Sequence, residues 1–119
     1  MTLSHLHAHL HNFTLMDMGA LGQMASEVLQ EQSPAKLVSC RTKFYDLLSN
    51  CIPADTILRT LASELQKRME SAELKHMVME MAAYYEHRMQ CGSKAIFHLE
   101  AFLAKFMSHY KNVAETTKR

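Results

Sequence analysis

The sequence predicts an all-α protein, a single five-helix bundle. Three observations carry that prediction. Apolar residues recur at helical spacing from Met18 to Asn112. The punctuation inside this span is confined to Pro34, Pro53 and the glycines Gly19, Gly22 and Gly92, each readable as a helix-boundary residue. A chain of 119 residues with 48 % hydrophobic content suffices for one core, and neither an internal repeat nor an interdomain linker interrupts it.

The elements follow in order. A first helix over about 18–32 carries Met18, Leu21, Met24, Ala25, Val28 and Leu29 on one side. Its two glycines weaken its start by roughly 1 kcal/mol each relative to alanine. Ser33 then reads as an N-cap with Pro34 at the first helical position, where a missing N–H costs nothing. The second helix, about 34–49, places Leu37, Val38, Cys40, Phe44, Tyr45, Leu47 and Leu48 in one arc. Pro53 starts a third helix that runs to about Met69, with Asp55 favourable in its first turn. Its Ile57, Leu58, Leu61 and Leu65 point inward, and Arg59, Ser63 and Gln66 outward. Ser71 caps a fourth helix, with Glu73 in the first turn and Gly92 as its left-handed stop. Ser93 caps a fifth, about 94–112, so that "GSK" is a tight corner between helices. Residues 1–17 are a histidine-rich leader expected to be disordered, and 113–119 a polar tail.

Composition removes several classes of function. The formal net charge of +1 argues neither for nor against nucleic acid. No apolar run approaches the roughly 20 residues of a transmembrane helix, and histidines interrupt the short apolar runs that a signal peptide would need. Cys40, Cys51 and Cys91 form no CxxC pair, so buried thiols of a reducing compartment are expected rather than a disulfide framework. The three glycines permit neither GxxxxGK[ST] nor GxGxxG, and there is no GxSxG. No catalytic, cofactor-binding or metal residue is therefore nominated, and no cofactor.

The last two helices carry more apolar surface than one core stripe requires. On the fourth, Leu74, Met77, Val78, Met81, Tyr85 and Met89 form the stripe, while Met79, Ala83 and Cys91 fall outside it. On the fifth, a wide core arc from Ala95 to Tyr110 is opposed by Phe97, Ala101, Ala104 and Ser108. Small residues in such a line admit another helix at close range. Arg88 projects into the fourth helix's core stripe. It either snorkels to the bundle end, pairs with Glu64 or Glu100, or reaches a carboxylate of another subunit. Met79, Ala83, Arg88, Phe97, Ala101, Ala104 and Ser108 are thus the expected partner interface. Lys94, His98, Lys105 and His109 share one face of the fifth helix, read as solvated in preference to phosphate-binding.

The run "MAAYYEHRMQCGSKAIFHLEAFLAKFM", Met81 to Met107, resembles the C-terminal collar domain of the replication factor C subunit 3 family, small subunits of the eukaryotic sliding-clamp loader. The similarity continues through "CRTKFYDLLSNCIPADTILRTLASEL", Cys40 to Leu65, and spans about residues 26–111. The resemblance implies a helical domain that packs beside the collars of other replication factor C subunits in a hetero-oligomer. It implies a nuclear role in DNA replication and repair, with the sliding clamp and primer–template DNA met only through the complex, and no membrane. The family's phosphate loop, acidic magnesium-binding motif and arginine finger have no counterpart here. The chain is expected to hold the assembly part alone, as a truncated or short form, and not to be an enzyme by itself.

"SHLHAHLHNF", residues 4–13, lies outside the resemblance. His5, His7, His9 and His11 would share one face only in a strand, because residues two apart on a helix point in nearly opposite directions. A histidine-rich metal-binding protein and a stand-alone helical interaction protein are the alternatives to a collar module.

Overall fold

A computed structural model describes residues 19–92 and 94–117. Among the described residues five helices form the bundle: α1 over 19–30, α2 Pro34–Ser49, α3 Ala54–Lys67, α4 Ala72–Gln90 and α5 Ala95–Thr117. No strand occurs among the described residues. Met18, Ser93 and the His5–His11 run lie outside the described residues, and so do the expectations that rest on them.

The boundaries have local causes. Ser33 accepts a hydrogen bond from the Lys36 amide at 3.1 Å, with Pro34 opening α2. Ser71 does the same for the Leu74 amide at 3.2 Å in α4. Gly92, at φ +96°, supplies the left-handed residue after α4 that side chains resist. Pro53 stands just before α3, and Asp55 in its first turn accepts from the Thr56 amide.

The end of α2 is less ordinary. Cys51 adopts φ +65°, the left-handed region, as a non-glycine residue. Its amide donates to the Leu48 carbonyl at 3.0 Å, and the Ile52 amide reaches back to the Leu47 carbonyl at 3.2 Å. This is a Schellman stop, completed by buried Ile52 and Leu47, with cysteine where glycine is usual. Cys51 is consequently exposed, as is Cys91; of the three cysteines expected to be buried, only Cys40 is. Burial, outweighing nearby Lys36 and Lys43, pushes the Cys40 thiol up.

The core is one cluster drawn from every helix. Leu21, Met24, Ala25 and Val28 come from α1, Cys40, Phe44 and Leu47 from α2, and Ile57, Leu58, Leu61 and Leu65 from α3. Val78 and Met81 come from α4, and Leu99, Phe102, Leu103 and Phe106 from α5. The inward arcs of α3 and α5 are as the sequence predicts. On α2, Val38 and Tyr45 fall outside the core and are half exposed, because the arc that contains them is wider than the covered side. Helix α5 packs against α2, α3 and α4 and continues past the expected end at 112; Thr116 donates to the Asn112 carbonyl at 2.8 Å in this last stretch. α1 docks closely on α3: a Cβ at Gly22 would meet Arg68 and Glu64 side-chain atoms at 3.2–3.3 Å.

Candidate functional site

On α5 the four nominated residues form a continuous outer strip. Phe97, Ala101, Ala104 and Ser108 lie within an arc of about 60° at 3.6 residues per turn. Phe97 is 59 % exposed, the two alanines are half-buried, and Ser108 is exposed. The inward side of the same helix is filled by Phe102, Leu103 and Phe106, so this strip is surplus to the core. At one end it leads into an apolar groove of about 230 Å³, where Ala104, Met107 and Ser108 face Pro34 and Leu37 at the start of α2.

The α4 residues divide. Met79, at 60 % exposure, and exposed Ala83 lie toward the flank where Glu86 pairs with Arg59 of α3. Arg88 stands about half a turn away from Met79 and belongs to the α5 side. There it donates to the Tyr84 hydroxyl at 3.3 Å, with its guanidinium 5.7 Å from the Tyr84 ring centre. The structure joins Arg88 to the neighbourhood of the α5 strip and sets Met79 and Ala83 apart from it.

Arg88 takes neither carboxylate partner considered for it within the bundle. Glu64 is held by Arg68 at 2.6 Å and Lys67 at 3.1 Å, and Glu100 by Arg41 of α2 at 2.5 Å. Those hydrogen bonds, Arg68's first, hold the Glu64 carboxyl below the usual carboxylate range despite its burial. Arg88 is also exposed rather than set in the core stripe, its guanidinium turned to the half-exposed Tyr84.

The face shared by Lys94, His98, Lys105 and His109 is only partly open to solvent, contrary to its expected solvation. His98 is 7 % exposed, and its Nε2 is buried without a hydrogen-bond partner among the described residues. The face is therefore solvated only at Lys94, Lys105 and His109. Lys105 brings its Nζ to 5.9 Å from the Tyr84 ring centre. Tyr84, half exposed and edge-on to Tyr85 at 4.9 Å, is therefore flanked by two cations. Periodicity assigns Tyr84 only to the border of the core. The i, i+4 spacing of Tyr84 and Arg88 was the available signal of their pairing.

Among the described residues, no group of three or more His, Cys, Asp or Glu could hold a metal ion, and no helix is long and apolar enough to cross a membrane. What the geometry offers is an apolar surface strip: an aromatic ring on a line of small residues, bordered by a cationic corner.

Comparison with known proteins decides the family. Residues 18–114 match the family described as "Replication factor C subunit 3, C-terminal domain". The chain belongs to this family. Among the relatives, "Replication factor C subunit 5" of Oryza sativa subsp. japonica is 53 % identical over 97 residues, covering 82 % of this chain and 27 % of that protein. "Replication factor C subunit 3" of Arabidopsis thaliana is 55 % identical over 97 residues, with the same shares covered. The Homo sapiens protein of that name is 48 % identical over 95 residues, 80 % of this chain and 26 % of that protein. The chain thus spans about a quarter of the length of these replication factor C relatives, and the match is to the family's C-terminal domain.

Proposed function

We propose that this chain is an assembly module, a helical collar that packs against other replication factor C subunits in a hetero-oligomeric clamp loader. Family membership supports the reading, and one observation carries it: α5 keeps an exposed Phe97 on a line of small residues, outside a core already filled by its opposite face. Leaving such a ring in water forgoes roughly 2–3 kcal/mol of burial, which a docked helix recovers.

The role in DNA replication and repair, and a location in the nucleus, come with that reading. The sliding clamp and primer–template DNA are met through the assembled complex. ATP-driven loading belongs to family modules beyond the matched domain, and this chain contributes packing in place of chemistry. The surface used is Phe97, Ala101, Ala104 and Ser108, with Arg88 at its edge; Met79 and Ala83 form a separate patch toward α3.

The test is co-expression with the other replication factor C subunits, followed by size-exclusion chromatography with light scattering. Stoichiometric co-elution is expected, lost in Phe97→Asp and Ala101→Glu while circular dichroism stays unchanged. A wild-type chain that elutes alone, or variants that bind as wild type does, would remove the reading.

A further inference from the structure

The two cations that flank Tyr84 lack an acidic partner among the described residues: neither Arg88 nor Lys105 forms an ion pair there. Of the nearby acidic groups, Glu86 is held by Arg59 and Glu100 by Arg41, while exposed Glu80 contacts the His76 imidazole at 2.9 Å and shares a hollow with Tyr84 and Lys105 without forming an ion pair to that lysine. Beside Tyr84 and Arg88 opens a cavity of about 390 Å³, lined also by His87, Cys91 and His98. His98 is more than nine-tenths buried and brings to this cavity an imidazole whose Nε2 lacks a hydrogen-bond partner. A buried polar atom left so in a native structure calls for an explanation, and a polar group arriving from outside would provide one.

We propose that this corner of α4 and α5 seats a carboxylate side chain of a neighbouring replication factor C subunit, gripped by Arg88 and Lys105 across the Tyr84 ring with His98 as the polar floor. The inference rests on the assembly reading and adds the chemistry of the partner to it. Charge is the first argument: Arg88 and Lys105 stand at one aromatic ring and neither forms an ion pair among the described residues, which favours a carboxylate, and a planar guanidinium matches it with two parallel donors. Continuity is the second. Ala101 of the strip lies one helical turn from both His98 and Lys105, so the corner forms one edge of the apolar strip, where interfaces place their charged rim. A phosphate backbone fits less well. Two permanent cations beside an exposed aromatic ring and a line of alanines make a short basic patch but a long protein-packing one.

The experiment uses the full chain co-expressed with the other replication factor C subunits. Zero-length carbodiimide coupling joins an amine to a carboxylate only when they touch, and mass spectrometry is expected to find Lys105 linked to an Asp or Glu of a neighbouring subunit. Arg88→Glu is expected to weaken co-purification at least tenfold at 0.1 M salt, with the thermal midpoint unchanged because Arg88 is exposed. Lys105→Glu should weaken it severalfold. If the wild-type complex forms and Phe97→Asp abolishes it, but both charge reversals bind normally and no Lys105 link is found, the seat is overturned and the assembly reading stands. Should the wild-type chain capture no subunit, both fall. Reversals that leave the complex intact and instead abolish binding to a primer–template duplex would make the corner a phosphate site and overturn the proposal.

Discussion

In α3, Ile57, Leu58, Leu61, Ala62, Glu64 and Leu65 are buried out of 14 residues; in the adjacent α4, only Val78 and Met81 are buried out of 19. Both helices have an apolar side, and they differ in what lies opposite. The outward side of α3 carries Arg59, Ser63 and Lys67, all exposed and polar. That of α4 carries Met79, Ala83 and Tyr84 among its charges. One helix is complete as a bundle component, while the other keeps apolar surface that its own fold does not use. The same sequence periodicity therefore reads two ways: a narrow stripe specifies a core, and apolar residues outside it are surface that the core leaves uncovered.

The contrast breaks most visibly at the core. Leu61→Ala is expected to cost about 2–5 kcal/mol, since fully covered Leu61 leaves a cavity; urea denaturation followed by circular dichroism measures it. Glu64→Gln comes next, at about 1–2 kcal/mol near neutral pH, through the lost charged hydrogen bonds to Arg68 and Lys67. The sign with pH follows from the lowered folded pKa of Glu64. Its contribution is complete above the ordinary glutamate value of about 4.3 and disappears as pH falls through the lower folded value. Denaturation curves of wild type and Glu64→Gln should accordingly converge in acid; a gap that widens there would contradict the pairing.

Cys51→Gly sharpens the comparison in the opposite direction. Relief of the left-handed cysteine outweighs the entropy glycine adds to the unfolded chain, for a net gain of about 0.5–1 kcal/mol. A thermal melt that shifts downward would show that the cysteine side chain matters more than its backbone. The smallest effect belongs to α4: Met79→Ser should change the stability of the isolated chain by less than about 0.5 kcal/mol, in contrast to Leu61→Ala on its neighbour. A loss of 2 kcal/mol or more would mean that Met79 packs against the bundle after all.

How much was legible before folding depended on the range of the cause. Ser33–Pro34, Ser71 and Gly92 mark helix ends through contacts three or four residues away, and they mark them correctly. Inward arcs on α3 and α5 were equally readable, because the stripe is wide and its opposite side distinct. Cys51 was not, since the left-handed stop it occupies is set by Ile52 packing on Leu47, and no preference of cysteine announces it. Val38, Tyr45 and His98 all sit at stripe edges, where the position of a neighbouring helix decides between water and cover. The partner of Arg88 was the least accessible. It depends on Arg41 and Arg68, distant in the chain, having taken the available glutamates first. On the candidate surface, the strip on α5 was visible as spacing, but its cationic border required two helices to be placed side by side.

Helix α5 has one more consequence. It provides Leu99, Phe102, Leu103 and Phe106, all fully covered, and it touches α2, α3 and α4. It is also the last of the five helices to leave the ribosome. Until it does, the four earlier helices surround an open trough of leucine, isoleucine and phenylalanine side chains, the kind of surface that draws chaperones and aggregation. Closure of the bundle therefore waits for α5, the same helix that leaves Phe97 exposed.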